Sequence, residues 1–397
     1  MRVLVVRSRA ALTASAYLSM FFLGVGNAVI GAASGNIGLA PYQIGLFIAA
    51  QNLGFFITVI TAGALSDSVE KPRLLCAGSL LAAVSFFLFY LWRPFLLNLL
   101  IMFFIGAAMG VQEGVTDAML LDIHQKRQAL HIGINHFFVT LGGLLITGYL
   151  VFLQGSWRES LVQSSAGVLV LALLLVFAGT DGVRRGAGSF GRRIAFLGTR
   201  RVLGAVFAAA VIFVGIESGL TGLLTTFLLR LRGYDLVSSK LGLILFLSGI
   251  ALGRALFGLL ARRERIRGML LALVTACGIF SAVLFLVPLP APVISLALFL
   301  LGITVSSLFP LSITITGFLF PDISGTAIGV VKLAVPVGGI FIPLVIAGIS
   351  RMLSLELSLL IFPLLSLLGL AVIAASGPLI RAGLATAAAA SAGGTQS

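Results

Sequence analysis

The chain has 397 residues, 59% of them hydrophobic and only 10% charged, with a mean hydropathy of +1.18. Soluble proteins are typically about 45–50% apolar and 25% charged, so this composition excludes a soluble enzyme or binding module and points to an integral membrane protein. A net charge of +14 would in a soluble chain suggest nucleic acid. Here the basic residues stand in short runs between apolar segments, where they set topology and meet anionic lipid headgroups.

Apolar stretches of about 20 residues recur along the chain, and helices are the structure that satisfies such a backbone in lipid. They predict twelve spans, at roughly 12–33, 43–66, 74–91, 95–121, 129–153, 161–180, 202–230, 238–261, 268–288, 291–318, 324–350 and 354–379. The fold class is therefore all-α membrane protein. Arg2, Arg7 and Arg9 precede the first apolar run without a small-residue cleavage site, so that run reads as an uncleaved span. Cys76 and Cys277 lie far apart within apolar segments, as buried free thiols do. The small, polar end of the chain, 381–397, is expected to be a disordered tail.

The basic residues are distributed unequally. One side receives Arg2, Arg7, Arg9, Lys71, Arg73, Lys126, Arg127, Arg184, Arg185, Arg192, Arg193, Arg200, Arg201, Arg262, Arg263, Arg265, Arg267 and Arg381, and the other only Arg93, Arg158, Arg230, Arg232 and Arg351. The positive-inside rule then predicts both termini in the cytoplasm, in a cell (inner) membrane. Residues 181–201 carry six arginines and read as a cytoplasmic linker between two six-helix halves, 1–180 and 202–380. A shift of 196 residues superimposes Gly106 on Gly302, His136 on Lys332 and Gly142-Gly143 on Gly338-Gly339, while a shift of 191 sets Gly24 on Gly215 and Gly31 on Gly222. Such a parallel duplication marks the pseudo-symmetric halves of a carrier, with its solute site near the midplane.

Acids inside apolar spans are costly and usually face a bundle interior or a wet path. In Gly110-x-x-Glu113-x-x-x-Asp117 the two acids share one helix face, and Glu217 sits midway along span seven. Counting from the turn near Gln125, Glu113 and His136 come to the same depth on an antiparallel helix pair, which makes Glu113, His136 and Asp117 the proton-coupling candidates. Asn27, Glu217, Asn135, Ser307 and Lys332 are the solute-cavity candidates. Ser306 and Thr314 are further hydroxyls in span ten, where bonding back to the helix is the common alternative. Trp92 and Trp157 flank spans as interfacial anchors, and His131 at a helix start reads as interfacial.

Gly63-x-x-x-Asp67 followed by Lys71 and Arg73 resembles the loop between the second and third helices of the major facilitator superfamily, with Ser68 and Glu70 departing from its pattern. Glu113 with Asp117, Asn135-His136-Phe137-Phe138 before Gly142-Gly143, Gly253-Arg254, and Phe309-Pro310 resemble fourth-, fifth-, eighth- and tenth-helix motifs of the fucose:proton symporter branch, and Gly215-x-Glu217 resembles a seventh-helix motif of many members. The resemblance implies alternating access by two rocking halves, with spans one, four, seven and ten lining the path and Gly63, Asp67, Arg73 and Arg254 forming structural gating motifs. This chain has Asn27 where the fucose symporter carries a first-helix acid, and Leu223 and Leu224 where many sugar carriers place tryptophan.

The expected function is a proton-coupled importer of a small polar solute such as a sugar, with sodium as the alternative coupling ion. The chain is expected to work as a monomer among membrane lipids, with no metal, no cofactor, no nucleic acid and no enzymatic activity. An exporter of amphipathic compounds is the second reading, although the glycine-proline motif of drug antiporters is missing between Leu141 and Tyr149. A transport-inactive sensor or assembly protein is the third.

Overall fold

A computed structural model of the chain describes residues 8–66, 69–124, 128–152, 156–179, 200–262, 264–320 and 324–393. The described residues include twelve helical spans long and apolar enough to cross a membrane, so the protein is an integral multi-pass membrane protein of the all-α class. In chain order the helices are α1 (Arg9–Ile37), α2 (Pro41–Leu65), α3 (Lys71–Leu88), α4 (Phe95–Ile123), α5 (Gln128–Phe152), α6 (Trp157–Val176), α7 (Arg201–Leu231), α8 (Leu236–Leu260), α9 (Ile266–Leu286), α10 (Ala291–Val305), α11 (Leu308–Leu319), α12 (Ser324–Lys332), α13 (Ala334–Met352), α14 (Leu355–Leu359), α15 (Ile361–Ala375) and α16 (Gly377–Gly393).

The apolar pattern predicts unbroken spans ten, eleven and twelve, and the structure interrupts all three: α10 from α11 at Ser306–Ser307, α12 from α13 at Leu333, and α14 from α15 at Leu360. Each break lies three or four residues before a proline, Pro310, Pro336 or Pro363. A proline has no N–H for the carbonyl four residues back, and its ring crowds that carbonyl. Freed carbonyls in a membrane need other donors, and at the first break Arg254 Nε supplies one to Ser306 O at 3.4 Å. Pro343 is accommodated within α13.

The C-terminal tail also differs from expectation, because α16 continues to Gly393. An alanine-rich run has the highest intrinsic helix propensity, which outweighs the low hydropathy that suggests disorder. Most of the basic linker, 180–199, lies outside the described residues, as do 394–397.

Two compact units divide the chain, Met1–Ala187 with Thr221–Ile244, and Gly188–Leu220 with Leu245–Ser397. In the first, α2 packs on α4 and α1 on α5, around a core that includes Leu12, Ala16, Leu75, Val115 and Met119. Close approach depends on glycine: a Cβ at Gly106 would collide with the Gln51 carbonyl of α2, and one at Gly142 with the Phe21 carbonyl of α1. The second unit repeats both contacts, with Gly302 against the Phe246 carbonyl of α8 and Gly338 against the Val211 carbonyl of α7. The 196-residue sequence shift thus pairs residues that do the same packing work.

Candidate functional site

In the first unit the polar residues of α4 and α5 converge. Asn135 Nδ2 donates to Asp117 Oδ1 at 2.9 Å and to Thr116 Oγ1 at 3.1 Å, and both Asn135 and Thr116 are fully buried. His136 Nε2 lies 3.3 Å from Asp117 Oδ2, with the two side chains 36% and 15% exposed. The sequence predicts that His136 meets Glu113; the structure sets it against Asp117, one helical turn nearer the α4–α5 connection. The α5 helix packs mainly on α1, where a Cβ at Gly142 would meet the Phe21 carbonyl and Phe138 stacks on Tyr17 at 5.2 Å.

Glu113 is half-buried, and among the described residues it makes no hydrogen bond or ion pair. It stands nine residues after the exposed Phe104, about half a helical turn out of phase with it, so it faces away from the Leu96–Leu100–Phe104 stripe that meets lipid. Asn27 of α1 is exposed although Leu23–Gly26 and Ala28–Ser34 around it are buried.

The second unit holds a different arrangement. Glu217 of α7 accepts from Arg254 Nη2 of α8 at 2.6 Å, with side-chain exposures of 23% and 31%. Sequence reasoning places Glu217 in the solute cavity and Arg254 in a separate gating motif, yet the two form one ion pair. Arg254 also donates to the Ser306 carbonyl released by Pro310. Ser307 is buried, and its hydroxyl bonds the Gly253 carbonyl at 3.3 Å. The Ser306 and Thr314 hydroxyls bond back to Ile303 O and Pro310 O of their own span, the common fate of a hydroxyl on a helix. Lys332 ends α12, half-buried, at the break in span eleven.

At the α2–α3 turn, Asp67 lies outside the described residues. Nothing lies within 4 Å of a Cβ at Gly63, whereas one at Gly114 on α4 would come within 3.1 Å of the Val59 carbonyl oxygen. Arg73 pairs with Glu70 at 2.9 Å on the surface, whereas the buried Lys71 reaches Asp122 at the end of α4 at 2.7 Å. Composition and spacing carry no signal for that pair, because it joins the ends of two helices remote in sequence.

Three further polar contacts also escape sequence reasoning. His124 and His131 stack with ring centroids 3.6 Å apart, and each is held by α1, through Thr13 at 2.7 Å and Tyr17 at 2.7 Å. Lys240 of α8 is 1% exposed and donates to the Leu150 carbonyl near the end of α5 at 2.9 Å. Arg230 donates to the Leu39 carbonyl just beyond α1 at 2.9 Å. Cations suit helix C-termini, where carbonyls have no intrahelical partners. Among the described residues, no three His, Cys, Asp or Glu side chains gather as a metal site would require.

Twelve apolar spans, glycine contacts repeated between the two units and charged pairs at membrane depth define the architecture of a helical membrane carrier. The Major Facilitator Superfamily model matches residues 10–343, and the chain belongs to that superfamily. Among solved structures it resembles a bacterial homologue of the human lysosomal transporter Spinster, in an inward-facing and occupied conformation, with TM-score 0.75 and 16% identity over 93% of this chain and 97% of that one. It also resembles the nucleoside transporter NupG, with TM-score 0.75 and 14% identity over 94% and 99%, and a D-xylose-proton symporter, with 0.74 and 13% over 91% and 96%. At these identities the likeness is one of fold. No curated protein matches the chain.

Proposed function

We propose that the protein is a proton-coupled importer of a small polar solute, working by alternating access in the cell membrane with both termini cytoplasmic. The observation that carries the coupling is the Asp117–His136 contact on α4 and α5, buttressed by Asn135 and Thr116. An imidazole beside a carboxylate forms a pair whose proton affinity responds to what enters its surroundings. The pair holds the transported proton, and Glu113, one turn away on the same face, completes the site. The sugar reading draws support from the motif resemblance to the fucose:proton symporter branch and from the likeness of fold to a D-xylose-proton symporter.

The test is uptake and counterflow in proteoliposomes with a panel of labelled sugars, nucleosides and amines, under an inward proton gradient and then an inward sodium gradient. Accumulation that follows the proton gradient and vanishes with a protonophore supports the reading. Accumulation driven by sodium alone, export against the gradient, or no movement of any solute would each overturn it.

A further inference from the structure

We propose that Arg254 is a positioning residue that sets the bend of span ten, and that Glu217 holds it on the break, so that a ligand engaging the Glu217 carboxylate frees span ten to move. The proposal rests on the transporter reading for its consequence and names the moving part of the second unit. Pro310 has no N–H for the Ser306 carbonyl, and the helix is interrupted there, between α10 and α11. The matching span of the first unit shows what the proline does. The 196-residue shift sets Gly114 on Pro310, and α4 runs unbroken through that position from Phe95 to Ile123.

Helix α8 holds the break through three contacts. A Cβ at Gly253 would collide with the Ser306 hydroxyl and the Ile303 carbonyl, so the glycine lets the two spans touch there. The Ser307 hydroxyl donates to the Gly253 carbonyl at 3.3 Å, and Arg254 Nε donates to the freed Ser306 carbonyl at 3.4 Å. Nη2 of the same guanidinium donates to Glu217 of α7 at 2.6 Å. A guanidinium is planar and presents its donors in a rigid fork, so the carboxylate that fixes Nη2 also aims Nε at the carbonyl. Ser306 and Ser307 are buried, where no water replaces a lost donor. Glu217 and Arg254 are 23% and 31% exposed. A ligand can therefore reach the pair but not the break, and the guanidinium carries its effect from one to the other. An ion pair that only glued α7 to α8 would have no tie to the missing N–H of Pro310, and that difference can be measured.

The experiment is hydrogen–deuterium exchange, read by mass spectrometry, on the purified full-length protein in detergent. In Arg254→Met the peptide spanning 300–312 should exchange about tenfold faster, as the loss of a hydrogen bond from a charged donor implies, while peptides of α4 exchange as in the wild type. Glu217→Ala, which removes the acceptor that aims the guanidinium, should speed the same peptide. Adding Pro310→Ala to Arg254→Met supplies an N–H for the Ser306 carbonyl and should return exchange close to the wild-type rate. Adding Pro343→Ala, at the proline inside α13, should not. If Arg254→Met fails to fold, Glu217→Gln/Arg254→Met leaves no unpaired charge and takes its place, with Pro310→Ala again as the rescue. Unchanged exchange at 300–312, an increase spread equally over both units, or no rescue by Pro310→Ala would overturn the clamp, and unchanged exchange in Glu217→Ala would overturn the hold of Glu217 on it. The same exchange pattern in a protein that moves no solute would uphold the clamp and sink the transporter reading instead.

Discussion

His136 Nε2 lies 3.3 Å from Asp117 Oδ2, on a carboxylate whose other oxygen accepts from Asn135 at 2.9 Å. The acid is thus held by two neighbouring residues of one helix, and replacing either neighbour should have a different effect. His136→Gln keeps a donor and removes the imidazole; we expect solute exchange to survive and proton-gradient-driven accumulation to fall. Asn135→Leu removes the donor and leaves Asp117 less well solvated, which should lower both exchange and thermal stability, by about 1–3 kcal/mol. Accumulation in His136→Gln that follows the proton gradient as it does in the wild type would show that the imidazole takes no part in coupling.

The Glu217–Arg254 pair is less than a third exposed on either side. Removing one partner leaves a charge at membrane depth, a change that costs about 3–5 kcal/mol when burial is complete and less at this exposure. Glu217→Gln and Arg254→Gln should each lower thermal stability and impair transport without blocking membrane insertion, and the double variant should be more stable than the sum of the single losses predicts. Strict additivity in a double-mutant cycle would mean that the two side chains do not interact in the membrane.

Lys71 and Asp122 join α3 to the end of α4, with side chains 11% and 35% exposed. Asp122 can regain water when its partner goes, so Lys71→Met should cost only about 1–2 kcal/mol. The Arg73–Glu70 pair is exposed, and Arg73→Met should leave the midpoint unchanged. A larger loss at Arg73 would invert this ordering.

His124 lies beyond the end of α4, and burial, then the neighbouring His131 and Arg9 charges, hold its pKa below 6.5. The unfolded chain therefore takes up the proton first as pH falls, so the stability contributed by the neutral stack is fully present above about 6.5 and is lost below it. The thermal midpoint should fall between about pH 7 and 5, and His124→Gln should reduce that slope. A midpoint with the same slope in wild type and His124→Gln would dissociate the stack from stability.

Much of this architecture was legible from residues alone, for physical reasons that can be named. The twelve spans follow from the length of apolar runs that lipid demands, and the internal repeat from glycines that let backbones touch, as Gly106 and Gly302 do. The breaks in spans ten to twelve were written in Pro310, Pro336 and Pro363, but hydropathy averages over a proline and hides it. Side-chain pairing was less legible. Depth counted from a turn set His136 level with Glu113, yet the structure pairs it with Asp117, one helical turn away, because how α5 packs on α1 is something no spacing encodes. The Glu217–Arg254 and Lys71–Asp122 pairs likewise need the packing of helices before their partners can be named.

Sidedness rests on the unequal distribution of basic residues. Single cysteines replacing Arg192 and Arg265 should react only with reagents that enter the cell, and one replacing Arg158 with impermeant reagents added outside. External labelling at Arg192 would reverse the proposed topology.

The central claim is that the Asp117–His136 pair carries the coupling proton, and it is tested most directly by pH-gradient-driven accumulation in proteoliposomes containing Asp117→Asn. The substitution conserves size and removes the titratable group. With the solute identified from the uptake panel, the account predicts that accumulation under an inward proton gradient is abolished while exchange across vesicles without a gradient continues. Accumulation in Asp117→Asn that still follows the pH gradient would contradict it.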